Sequence, residues 1–107
     1  MGLQPHITFR HLETSEAVKG AIERHVDELE QLYDRMTSCR VVVEARHYHR
    51  RGRLYHVSVT LFVPGSEIVV NRDPTEKQSH EDVLVAVRDS MDSARRQLED
   101  HVRRMRA

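Results

Sequence analysis

The chain has one cysteine, no tryptophan, three prolines and four glycines in 107 residues, and its charges cancel at seventeen basic against seventeen acidic. The single Cys39 excludes an internal disulfide and fits a reducing cytoplasm. Zero net charge removes any overall field that would draw the molecule onto nucleic acid, so such binding has to come from a local patch. The start, MGLQPHITFR, has no apolar run long enough for a secretory signal, and no later run is long enough to span a membrane. A cytoplasmic protein is expected, with no membrane partner. Met1-Gly2 is no myristoylation signal, because His6 stands where Ser or Thr is wanted. There is no Gly-rich phosphate loop, no Ser-x-x-Lys and no His-Glu-x-x-His, and no internal repeat or low-complexity segment. The expectation is a protein that is not an enzyme and needs no cofactor.

What is present is periodicity. Hydrophobic content of 38% and charged content of 32% describe one soluble domain over 1–107. Leu84, Val87, Met91, Ala94, Leu98, Val102 and Met105 recur every three or four residues, predicting a long helix from His80 to Arg104. Ser79 followed by Asp82 has the form of its cap. A second stripe, Val18, Ile22, Val26, Leu29, Leu32, Tyr33 and Met36, predicts a helix capped by Thr14 or Ser15 and reaching Arg35. Alternation predicts strands at His6–Arg10, Arg40–Tyr48, Leu54–Val63 and Glu67–Asn71. His49–Arg53 reads as a polar turn, and Pro64-Gly65 reads as a type II turn with Gly where positive φ is needed.

The order is therefore β-α-β-β-β-α, an α+β two-layer sandwich. Tyr55, Val57, Val59, Leu61 and Val63 form a core face, with His56, Ser58 and Thr60 on the other. The Pro-Gly turn sets Leu61 opposite Ile68 and Val59 opposite Val70. On the second strand, Val43 is expected opposite Leu61 and Ala45 opposite Val59. With one stripe each, both helices should pack on one face of the four-stranded sheet and leave the other to solvent.

Fifteen of the seventeen cations are Arg, whose planar fork suits phosphate and carboxylate equally. On the last helix Arg88, Asp92, Arg96, Asp100 and Arg104 alternate in sign at spacings of four, as do Arg95, Glu99 and Arg103. Residues four apart are neighbours, so the plain reading is a pair of salt-bridge ladders on a solvated face. The functional reading is that these arginines exchange a carboxylate for an RNA phosphate. Arg35, at the end of the first helix, either complements the helix dipole or meets RNA. Arg46, Arg50, Arg51 and Arg53, with His47 and His49, form the densest basic group without an acid: a solvated turn or a phosphate-gripping loop.

His47, His49 and His56 raise a metal site, but alternation puts His56 on the opposite sheet face from His47 and no carboxylate lies near, so no metal is expected. Cys39, before an apolar strand, reads as a small core residue rather than a nucleophile.

Several stretches resemble the ribosome hibernation-promoting factor and ribosome-associated inhibitor A family, in its short form. They are Leu29-Glu30-Gln31-Leu32-Tyr33-Asp34-Arg35, Leu54-Tyr55-His56-Val57-Ser58-Val59, Pro64-Gly65-Ser66-Glu67, His80-Glu81-Asp82-Val83-Leu84-Val85-Ala86-Val87 and Arg96-Gln97-Leu98. Together they run from about Ile7 to Arg104. The resemblance implies a sandwich similar to a double-stranded-RNA-binding fold. It further implies binding to 16S-type rRNA of the small ribosomal subunit, in the mRNA–tRNA channel, blocking translation under stress by occupancy. Lys19, Arg24, Arg35, Arg50, Arg51, Arg53, Arg88, Arg95, Arg96 and Arg103 are then the expected RNA contacts, with Arg96 inside a matched motif. No DNA partner is expected, and at most weak self-association. Where relatives tend to carry lysine, this chain has His25, Glu28, Ser93 and Asp100, while Arg24 and Arg95 add charge nearby. A rival reading is a protein–protein adaptor using an exposed Phe62 and Tyr48. Protonation of His25 and His101 is expected to strengthen RNA binding as pH falls.

Overall fold

In a computed structural model, residues 2–48, 52–71 and 82–106 are described. The elements are β1 (His6–Arg10), α1 (Glu16–Leu32), β2 (Ser38–Tyr48), β3 (Gly52–Val63), β4 (Ser66–Val70) and α2 (Val83–Arg106). The strands form one mixed sheet in the order β1-β2-β3-β4, with β1 parallel to β2 and the other pairs antiparallel. The α1 crossover joins the parallel pair, as such a connection requires.

The cap of α1 is Ser15 rather than Thr14: its backbone is extended (φ −122°, ψ 121°) and its hydroxyl accepts from the Val18 N–H at 3.3 Å. The helix stops at Leu32, three residues before the expected Arg35. Tyr33 turns extended (φ −153°, ψ 105°), its N–H still donating to the Leu29 carbonyl, and its ring is buried. The helix α2 begins at Val83, where the Asp82 carboxylate accepts from the Leu84 N–H at 2.9 Å and so acts as a cap. The expected start at His80 and the expected cap Ser79 lie outside the described residues.

Pairing of β3 with β4 is as read, Leu61 opposite Ile68 and Val59 opposite Val70, around a turn in which Gly65 has φ 76°. Pairing of β2 with β3 is not. Val43 lies opposite Val57 and Val41 opposite Val59, a shift of four residues from expectation. The physical reason is the connection. The strands continue to a Tyr48–Gly52 pair, so Gly52 and Arg53 belong to β3 and not to a turn. A shift of four keeps every side chain on its face, so the face assignment survives.

Val41, Val43, Val57, Val59, Leu61, Val63, Ile68 and Val70 meet Val18, Ile22, Val26 and Leu29 of α1 and Ala86, Val87, Met91, Ala94, Leu98 and Val102 of α2. Both helices thus cover one face of the sheet. Each large side chain here that is removed from water contributes about 1.5–3 kcal/mol. Ser90 pins α2 to the sheet, its hydroxyl donating to the Val57 carbonyl at 2.9 Å. The ends of the expected α2 stripe are not in the core: Leu84 is 46% and Met105 51% exposed.

The opposite face is not simply left to solvent. Leu54 and His56 are buried on it, outside the main core cluster. His56 lies opposite Glu44, with its Nε2 2.9 Å from the Asn71 Oδ1. Asn71, expected to end β4, spends its side chain on this contact instead.

Candidate nucleic-acid interface

An α-helix turns about 100° per residue, which places Arg88, Arg95, Arg96 and Arg103 within about 100° of arc on α2, along one flank of the buried stripe of Met91, Leu98 and Val102. All four are exposed. Their ion pairs only partly follow the expected spacing of four. Arg95 pairs with Glu99 at 3.7 Å, four residues on. Arg88 instead reaches Asp89 at 3.4 Å, and Arg103 turns back to Asp100. The Arg96 Nη2 donates to the Ser93 hydroxyl at 3.1 Å. Exposed pairs of this kind contribute about 0–1 kcal/mol each, so an incoming phosphate competes with weakly held partners.

The other expected contacts are scattered. Lys19 approaches Glu16 at 3.9 Å on α1. Arg24 is exposed on the same helix, its guanidinium beside Gly20. Arg35 is exposed but lies beyond the end of α1, whose last turn holds no base, so the dipole argument for it falls. Arg53 sits in β3 with its backbone paired to His47, and its side chain, with Arg50 and Arg51, lies outside the described residues.

His101 does not extend the arginine arc. Its ring meets Tyr33 edge-on and its Nε2 is enclosed, with no hydrogen-bond partner among the described residues. His25 is half-buried on α1.

Sequence reasoning missed two arrangements. On the sheet face away from the helices, the Arg46 Nε lies 2.6 Å from the Glu44 Oε1. That hydrogen bond holds the Glu44 carboxyl below its usual range, opposed by partial burial and helped by the Arg46 charge and by His11 and His56. The signal for it is in the sequence, since Glu44 and Arg46 stand two residues apart on β2 and so share a face of the sheet. The second is a cleft of about 390 Å³ lined by Leu32, Arg96, Glu99, Asp100, Val102 and Arg103, where the end of α1 meets α2.

Cys39 is fully enclosed, and burial pushes its thiol up to about 12. Among the described residues, no three His, Cys, Asp or Glu side chains gather as a metal site, and no helix is long and apolar enough to cross a membrane.

Comparison with known proteins places these features in a family. The chain is 28% identical over 99 residues to a ribosome hibernation promoting factor of Azotobacter vinelandii, covering 92% of this chain and 82% of that protein. It is 25% identical over 99 residues to a protein of the same name from Pseudomonas putida, covering 92% and 86%. In fold it is similar to the N-terminal domain of Thermus thermophilus Protein Y (TM-score 0.70, 18% identity, 94% of this chain and 99% of that one). It is likewise similar to a ribosomal subunit interface protein from Coxiella burnetii (TM-score 0.70, 16% identity, 90% and 96%). With residues 6–106 matching the family model, the chain belongs to the Sigma 54 modulation protein / S30EA ribosomal protein family.

Proposed function

We propose that this protein is a ribosome-associated translation inhibitor of the hibernation type. It binds 16S-type rRNA of the small ribosomal subunit in the mRNA–tRNA channel and blocks translation by occupancy, without catalysis. The observation that carries this is the exposed arc of Arg88, Arg95, Arg96 and Arg103 on α2, held only by surface partners. Such an arc supplies phosphate contacts although the whole chain has no net charge. The names of the relatives support the same reading.

The adaptor reading is weaker. Phe62 is half-buried, with the Arg40 guanidinium 5.9 Å from its ring centre, and the Tyr48 side chain lies outside the described residues. Cosedimentation with purified small subunits, challenged by mRNA and initiator tRNA, tests the proposal. The expected result is binding that these ligands displace; a chain that stays in the supernatant at low salt contradicts it.

A further inference from the structure

The cleft at the end of α1 has an apolar floor, Leu32 and Val102, and a rim of two cations, Arg96 and Arg103, with two carboxylates, Glu99 and Asp100, between them along the helix. A surface that only grips phosphates has no use for two acids among its arginines, since they repel the ligand. A peptide-binding groove runs for several turns, whereas about 390 Å³ is at the small end of ligand sites and suits a single planar group. The cleft also sits where the negative end of the α1 dipole lies, and the last turn of α1 carries no base to offset it. Carboxylates and a helix C-terminus both accept hydrogen bonds, so the occupant must bring donors to the centre and negative charge to the rim.

We propose that this cleft takes one unstacked RNA base bearing an exocyclic amine, with the flanking phosphates on Arg96 and Arg103. Single-stranded RNA is read this way, by splayed bases seated on apolar or planar surfaces and bonded along their edges. Carboxylate acceptors select the N4 amine of cytosine over the O4 carbonyl of uracil. Arg103 is drawn to Asp100 and Arg95 to Glu99 in the free protein. Binding therefore exchanges these exposed pairs for base and phosphate contacts. The inference rests on the RNA-binding reading above but concerns what that surface discriminates.

The test uses the full chain with short fluorescent oligo(rC) and oligo(rU) at neutral pH and low salt, followed by anisotropy. The two pyrimidines are alike in size and differ in the group the carboxylates meet. Oligo(rC) is expected to bind about fivefold more tightly. The double variant Glu99→Gln, Asp100→Asn should lose that preference by weakening oligo(rC) alone. Equal binding of the two oligomers by the parent overturns the proposal. So does a double variant that binds both more tightly, since the acids would then merely oppose phosphate. Binding of neither oligomer overturns it too, and turns attention to a peptide occupant.

Leu32→Asn should weaken both oligomers with the salt slope unchanged, and Leu32→Met should restore them. Melting curves show whether the Asn variant is folded, and a folded Asn variant that binds like the parent removes the floor from the account. A chain that prefers oligo(rC) yet ignores ribosomes keeps the cleft and loses the ribosome reading. One that cosediments but shows no preference does the reverse.

Discussion

Tyr33 and His101 meet edge-on across the seam between α1 and α2, ring centroids 6.1 Å apart and planes at 76°. The Tyr33 hydroxyl continues past this contact to donate to the Met105 sulfur at 3.7 Å. One residue past the end of α1 thus ties down the last turns of α2, next to the arginines assigned to RNA. Tyr33→Ala should cost about 3 kcal/mol, as removal of a buried ring does. Tyr33→Phe should cost well under about 1 kcal/mol, because a hydroxyl–sulfur bond is weak. Urea unfolding of both variants checks the order; equal losses would place the stability in the hydroxyl and not the ring.

Cys39 should resist alkylation in the native protein at mildly alkaline pH. It has no exposed surface, and its thiol is pushed up to about 12, so little thiolate forms and none is reachable. Full labelling should appear only in denaturant. Mass spectrometry showing complete modification of folded protein within minutes would contradict this.

Glu44 ties stability to pH. Its carboxyl is held low in the folded protein, chiefly by the hydrogen bond from Arg46. A depressed carboxylate contributes stability above its unfolded value, about 4.3, and loses it as pH falls through the folded value. Glu44→Gln should therefore be destabilised relative to the parent at neutral pH, and the gap should close in acid. A gap unchanged from neutral pH down through the carboxylate range would show that the pair contributes nothing through its charge.

Gly65 is required by the backbone and not by space. Its φ is 76°, and an added Cβ would meet no atom within 4 Å. Gly65→Ala should cost about 1 kcal/mol through the left-handed backbone alone. Thermal melts check this, and an unchanged midpoint would show that the turn adopts another form.

Much of the fold was legible because burial imposes period. The alternation from Val57 to Val63 and the two-residue Pro64-Gly65 turn together leave β4 one register, with Ile68 and Val70 inward. The β2–β3 connection has no such turn signature. Several loop lengths keep the same faces, so the sequence pattern could not choose between registers four residues apart. Helix ends were legible only to a few residues: α1 stops at Leu32 rather than Arg35, and a cap is identified only by the N–H it accepts from, as Asp82 accepts from Leu84. The arginine arc was visible in spacing. Its actual partners were not, because a long exposed side chain chooses among near-equal neighbours, as Arg103 does in turning back to Asp100. The cleft was not legible at all: Leu32 and Val102 lie far apart in sequence and meet only once α1 and α2 are packed.

The salt dependence of small-subunit binding measures the central claim most directly, compared between the parent and a variant with Arg88, Arg95, Arg96 and Arg103 all changed to Gln. If these four arginines meet phosphates, log affinity should fall linearly with log salt, by about 0.7–0.9 per contact. The variant should then bind more weakly at low salt with a slope flatter by about three. A variant with the parent's affinity and slope would show that the α2 arc does not face RNA.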